Sequence, residues 1–289
     1  MRLRREYGCT WRSRIRRKAA PFVFLLPGLS GVLLFSVIPF VRVIVSSFRN
    51  MFSGEFTGFR NYEAVLESEA FRLAAANMLR FIGVGLPCLL ALSLVLALVL
   101  TGNAWGERCK YLYLVPLAVP AATMVLIWRL FFARQGYLNG ILGTHRAFLE
   151  EDSSFWILVG SYLWKNLGYT LILWMGGLKA VPKEMTDAAR VDGAGGVVLF
   201  MRVTLPCLKG SAYTILIVSL LNSFQVFREA YLAGGSYPQD KIYLLPHIFN
   251  NWYTKLEFYK MAAAAVLSVL VLGGIGVCLK RLWDREEWI

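Results

Sequence analysis

Two polar stripes recur at helical spacing inside otherwise apolar sequence. Tyr162, Asn166 and Tyr169 fall at i, i+4 and i+7, with Lys165 beside them; Asn222, Gln225 and Glu229 fall at i, i+3 and i+7, with Arg228 adjacent. Residues so spaced share one face of a helix. Rings, amides and charges on one face offer stacking surfaces and hydrogen-bond partners, which is what a hydroxyl-rich ligand needs. The competing reading is that these groups bind one another or a neighbouring subunit, or snorkel outward. Lys165, Arg129 or Arg228 in such a cavity would favour an anionic ligand. Covalent chemistry finds no support. The sequence holds no G-x-x-x-x-G-K-[ST], no G-x-S-x-G and no H-E-x-x-H. His145 and His247 are far apart and read as surface histidines. Cys9, Cys88, Cys109, Cys207 and Cys278 form no C-x-x-C pair and read as small apolar side chains in or beside membrane spans. Neither a catalytic residue nor a metal site is expected.

The elements that must position these stripes are strongly apolar. Of 289 residues, 57% are hydrophobic and only 17% charged. That is too little charge to solvate the surface of a soluble protein, and the opposite of a disordered chain. A bilayer core of ~30 Å needs about 20 apolar residues in a helix. Six stretches meet or approach this, at residues 21–45, 74–100, 111–132, 155–178, 208–232 and 258–279. The first is too long for a signal-peptide core and lacks a small-x-small cleavage site, so it reads as a retained span. The expected fold is therefore an all-α membrane protein of six transmembrane helices, one domain over 21–289 after a basic segment over 1–20. With the fourth span starting at Phe155, a rise of ~1.5 Å per residue puts Lys165 about 15 Å deep, near the midplane. Residues 62–71, in the first outer loop, read as a short amphipathic helix at the interface.

The net charge is +13. A basic balance fits nucleic acid or a membrane surface, and the position of the cations decides. With the N-terminus taken as cytoplasmic, the inner segments 1–20, 101–110, 179–209 and 280–289 hold 18 Lys and Arg, against 7 in the outer segments 46–73, 133–154 and 233–257. This is the positive-inside pattern, with both termini cytoplasmic. Among the arginines of the first segment the only aromatics are Tyr7 and Trp11, and a span follows at once, so no nucleic-acid partner is expected.

One inner segment is long enough for structure of its own. Residues 181–210 read VPKEMTDAARVDGAGGVVLFMRVTLPCLKG. Pro182 suits a first helical position, and Glu184 and Asp187 suit the positive end of a helix. Ala188 and Ala189 leave a bare patch that another surface can approach closely. Gly193 is a natural left-handed stop, and Gly195 and Gly196 permit a sharp turn. A second amphipathic helix over 197–203 carries Leu199, Phe200 and Val203, and Pro206 is expected to end it. Such a helix–turn–helix, with a small-residue crest and an apolar flank, suits insertion into a groove of a partner.

The spacing Asp187-Ala188-Ala189, three residues, Gly193, nine residues, then Val203-Thr204-Leu205-Pro206 resembles the EAA loop of permease subunits of binding-protein-dependent ABC importers, whose pattern is E-A-A-x3-G-x9-I-x-L-P. Asp187 replaces the Glu and Val203 the Ile of that pattern. The stretch from Glu184 to Ala194, including Asp192, resembles the carbohydrate-importing, maltose-type branch. So do FLLPG before the first span's core, FTGFRNYEAVL at 56–66 and SFQVFREAYLAGG at 223–235. The resemblance implies a coupling-helix (EAA) loop between helices 4 and 5, contacting an ATPase through Glu184, Asp187, Ala188, Ala189, Asp192, Gly193, Phe200, Leu205 and Pro206. It implies a second homologous permease in a heterodimer, two cytoplasmic ATPase subunits that bind ATP and Mg, and an extracytoplasmic solute-binding protein, all at a bacterial inner membrane. This chain itself would hold no cofactor. The implied cargo is a sugar or oligosaccharide. The alternatives are a polyol-phosphate, an amino acid or a peptide. A secondary transporter is disfavoured because Glu229 is the only acid in the expected spans.

Overall fold

The computed structural model describes residues 25–50, 53–103, 106, 108 and 111–284. The basic segment 1–20, Trp11, Phe22, Cys9 and Cys109 lie outside these described residues. Within them the chain is all-helical, with one isolated bridge between Arg49 and Phe56 in place of any strand. By length and apolarity four helices can cross a membrane: α1 (Leu25–Ser47), α3 (Glu69–Leu100), α10 (Lys209–Gly234) and α12, whose span is Phe258–Arg281. A fifth span is possible if Leu112–Ala118 (α4) and the helix it bends into count as one, with a bend of 100°. The fourth expected stretch forms α7 (Ser153–Ala180), 28 residues long, yet too polar to join that set. Its polar groups turn inward: Ser154, Ser161, Asn166 and Thr170 are buried.

Prolines and caps explain where the elements differ from the expected bounds. The 62–71 helix does not form as one piece. Ser68 takes extended geometry and its hydroxyl accepts from the Phe71 N–H, so α2 (Arg60–Glu67) stops and α3 begins at Glu69. The 111–132 stretch breaks at Val119–Pro120. The proline forces the residue before it out of helical geometry, and Val119 sits at ψ 123°. A new helix, α5 (Ala121–Phe132), starts with Pro120 as its cap and leads to the short α6 (Tyr137–Leu142). In α10 a tight turn over Phe224–Val226 interrupts the α-helical bonding.

The chain divides into two compact units. In the first, residues 1–64 with 258–268, the Ser47 and Tyr62 hydroxyls pair at 2.7 Å and Asn61 donates to the Ser47 and Arg49 carbonyls. Phe48 packs edge-on to Phe59.

The second unit, residues 65–257 with 269–289, carries the polar stripes. Met78, Phe81, Leu89, Phe155, Leu158, Tyr162, Val226 and Ala230 form its larger core, joining α3, α7 and α10. Ala97, Leu171, Trp174, Met175, Leu208 and Ile215 form a second cluster toward the loop 181–210. Lipid gives apolar side chains little reason to associate, so close packing and interhelical hydrogen bonds hold such helices together. Both are present. A Cβ at Gly168 would run into the Tyr113 carbonyl, and the Trp174 indole donates to the buried Ser93 hydroxyl at 3.1 Å. At the far end, Asn77 donates to the Asp240 and Tyr243 carbonyls, and Lys241 pairs with Asp152. The Lys241 ammonium holds the Asp152 carboxyl below its ordinary value.

His247, expected at the surface, is fully buried in α11 (Leu245–Thr254), among the rings of Phe227, Tyr231 and Tyr243. Its Nδ1 accepts from the Leu244 N–H, which requires a neutral ring with the proton on Nε2. Burial pushes its pKa down to about 4. His145 is exposed, as are Cys88, Cys207 and Cys278.

Candidate functional site

The two polar stripes face each other across α7 and α10. The Tyr162 hydroxyl donates to the Ser219 carbonyl at 2.7 Å, and the Tyr169 and Ser219 hydroxyls pair at 2.7 Å. One turn further, Asn222 donates to the Asn166 side-chain oxygen at 3.5 Å, and Gln225 donates to Asn222 at 3.1 Å. Further along, the Lys165 ammonium reaches Glu229 Oε1 at 2.6 Å. Ser161, Tyr162, Lys165, Asn166, Asn222, Gln225 and Glu229 surround a cavity of about 60 Å³. That is room for a few waters or hydroxyl groups. Tyr169 does not line it and belongs to the layer below, through Ser219.

Two oxygens of this seam have no protein partner: Ser161 Oγ and Glu229 Oε2, both buried. Glu229 is only 2% exposed; Lys165 balances its charge through Oε1, while Oε2 is left without a hydrogen-bond donor. An unpartnered carboxylate oxygen in a low-dielectric cavity is a strong acceptor waiting for a donor. Ser219 and Ser161 were absent from the sequence-derived stripes. Ser219 precedes Asn222 by three residues, and extending that stripe one turn would have included it. Arg228 is exposed and does not line this cavity. Arg129 lines a separate hollow of about 820 Å³ nearer the N-terminal end of α7, with its guanidinium donating to the Leu232 carbonyl at 3.2 Å.

The loop residues lie in two short helices. Pro182 caps α8 (Lys183–Val191) from outside rather than opening it, and its extended ψ of 128° sets the entry. Glu184 in the first turn and Arg190 in the last both complement the helix dipole. Gly193 carries the turn with φ at +82°; Gly195 at φ −68° and Gly196 need no such freedom. The second helix, α9 (Gly196–Cys207), runs past its expected end. Its bonding widens to a π turn over Phe200–Thr204 just ahead of Pro206, so the proline ring is absorbed rather than terminating the helix.

Glu184, Asp187, Ala188, Asp192, Gly193, Leu205 and Pro206 are exposed, with Ala189 and Phe200 half-buried. Asp187 and Arg190 approach to 3.5 Å, an open pair that leaves the carboxylate available. Met185, Val191, Val197 and Met201 add exposed apolar surface. Sequence reasoning did not single them out, although Val191 and Val197 flank the turn. No cluster of three His, Cys, Asp or Glu side chains occurs among the described residues; what both regions offer is hydrogen bonding, ion pairing and contact.

A helical membrane protein with a buried polar seam and a two-helix loop of largely exposed side chains has the build of a transport subunit. The chain belongs to the binding-protein-dependent transport system inner membrane component family, whose model matches residues 83–286. It is 30% identical to the arabinooligosaccharides transport system permease protein AraP of Bacillus subtilis, over 89% of this chain and 86% of that one. It is 28% identical to the probable ABC transporter permease protein YurN of the same organism, over 89% and 94%. Its fold matches crystal structures of a bacterial ABC transporter involved in the import of the acidic polysaccharide alginate, with a TM-score of 0.77, 20% identity, and 94% of this chain and 97% of that chain covered. A second structure of that transporter, in complex with alginate pentasaccharide-bound periplasmic protein, matches equally well.

Proposed function

We propose that this chain is one of two homologous permeases of an ATP-driven importer in a bacterial inner membrane, and that it carries part of the route for a sugar or oligosaccharide. The observation that supports this reading most is the seam itself. Amide, phenol and hydroxyl groups from two helices converge on one cavity, with two buried oxygens still unpartnered. Such a lining suits a polyhydroxyl solute, which presents both donors and acceptors. In the state described here the cavity is far smaller than a sugar, so passage requires α7 and α10 to separate.

The force for that separation is assigned to the loop 181–210. α8 and α9 lie on the cytoplasmic face, with both chain termini on the same side, and enter a cleft on one of two ATPase subunits that bind ATP and Mg. Exposed Ala188 permits close approach, Asp187 supplies a carboxylate for a basic group, and the apolar side chains around Gly193 bury against the partner. A solute-binding protein outside delivers the cargo, as the family description implies. AraP's name makes arabino-oligosaccharides the first cargo to try.

The test is ATP-dependent uptake of arabino-oligosaccharides by the complete transporter reconstituted with its binding protein. Ala188→Arg should abolish both uptake and solute-stimulated ATP hydrolysis while the chain still inserts and pairs with its partner permease. Full activity of that variant would refute the lever.

A further inference from the structure

The Lys165–Glu229 pair sets the charge of the cavity. Among the residues lining the cavity, Lys165 is the only cation and Glu229 the only anion; Leu117, Val226, Ser161, Tyr162, Asn166, Asn222 and Gln225 are neutral. The two charges meet at 2.6 Å, with Lys165 about one-quarter exposed and Glu229 almost wholly buried. A lysine alone here would attract anions. With Glu229 against it, the cavity carries no net charge, and the unpartnered Glu229 Oε2 accepts a hydroxyl hydrogen but repels a carboxylate or phosphate. We infer that Glu229 is a specificity-determining residue that cancels Lys165 and restricts the route to uncharged polyhydroxyl solutes, excluding uronates and sugar phosphates. This rests on the reading of the α7–α10 seam as part of the route.

The exposed cations nearby do not reverse this. Arg228 does not line the cavity, and Arg129 lies in the outer hollow, turned to backbone carbonyls, where Arg134 stands 3.6 Å from Glu150. The inference separates this chain from its structural neighbour, whose cargo is an acidic polysaccharide, and aligns it with its arabino-oligosaccharide relative. Fold likeness covers both cargo types; the charge balance of the seam is the feature of this chain on which the inference turns.

The complete transporter in nanodiscs, held with ATP and vanadate in the state where α7 and α10 have parted and without binding protein, gives a direct test. Saturation-transfer NMR reads binding of two probes of equal length, maltotriose and trigalacturonate. The wild type should favour maltotriose by about tenfold or more. Glu229→Gln, which leaves Lys165 uncancelled, should shift the neutral-to-acidic ratio by at least about tenfold toward trigalacturonate. The reversed pair, Lys165→Glu with Glu229→Lys, restores neutrality and should restore the wild-type preference. If Glu229→Gln does not assemble, the wild type and the reversed pair still decide: equal binding of the two probes, or a preference for the acid, overturns the inference. A ratio unmoved by Glu229→Gln overturns it too and leaves the pair a structural contact. Binding of neither probe to any assembled variant removes the route reading along with it.

Discussion

The seam between α7 and α10 and the loop 181–210 treat their polar groups in opposite ways. In the seam, nearly every donor and acceptor is matched by another group of the same chain: tyrosines on Ser219, asparagine on asparagine, lysine on glutamate. In the loop, Glu184, Asp187 and Asp192 stand in the open beside exposed Val191, Val197 and Met201. A region that satisfies itself is closed, and work is needed to open it. A region that leaves both charges and apolar surface uncovered is shaped for a partner that will cover them. On the proposed function, the partner at the loop supplies the work and the closed seam is what it opens.

The contrast makes variants behave differently in the two regions, and the largest effects belong to the seam. Lys165→Met leaves the Glu229 carboxylate buried without its cation, and should lower stability by about 3–5 kcal/mol. Lys165→Met with Glu229→Leu should recover most of that loss. Thermal unfolding of the detergent-solubilised chain measures both, and a double variant no more stable than the single would show that the loss does not come from the unpaired Glu229 carboxylate. Gly168→Ala places a methyl group against the Tyr113 carbonyl and should cost about 1–3 kcal/mol by the same assay.

Acid should act next, away from both regions. His247 in the folded chain titrates near 4, below its ordinary 6.5, so the unfolded chain takes up the proton first. The stability this neutral ring contributes is complete above pH 6.5 and is lost as pH falls from there toward 4, by about 3 kcal/mol in total. Amide hydrogen exchange across α11 should accelerate over that window, and His247→Phe should flatten the dependence even while weakening the segment. An unchanged slope in that variant would place the acid sensitivity elsewhere.

The loop should show the smallest effects on stability and large ones on transport. Gly193→Ala forces a Cβ into left-handed geometry at about 1–2 kcal/mol. Asp187→Ala removes an open ion pair and should change the unfolding temperature little, by less than about 1 kcal/mol in free energy. The same Asp187→Ala substitution should reduce solute-stimulated ATP hydrolysis of the assembled transporter several-fold. A loss of stability with transport unaffected would invert the comparison.

How much of this was legible in the sequence follows from the distance between the residues that matter. The helices and turn of the loop were legible because they lie within 30 consecutive residues, where Pro182 and Gly193 act on their own neighbourhood. Even there Pro206 misled, since a π turn over Phe200–Thr204 absorbs it. Each seam stripe was legible by its spacing, but the partnership of Lys165 with Glu229 crosses 64 positions, and nothing local states which face of α10 meets α7. The same limit hid the burial of His247, enclosed by rings from α10 as well as its own segment. Apolar run length located four helices long and apolar enough to cross a membrane; the count of six is not reached, because α7 is too polar to qualify and the 111–132 stretch breaks at Pro120.

Thiol labelling in the working transporter addresses the seam most directly. With Cys9, Cys88, Cys109, Cys207 and Cys278 replaced, Asn222→Cys is exposed to a membrane-impermeant thiol reagent in proteoliposomes. Labelling should be slow at rest, where the cavity holds only a few waters, should rise during ATP turnover as α7 and α10 part, and should fall again when the transported sugar is in excess. Labelling that ignores both ATP and sugar would contradict the account, because the seam would then be a fixed joint between helices and not a route.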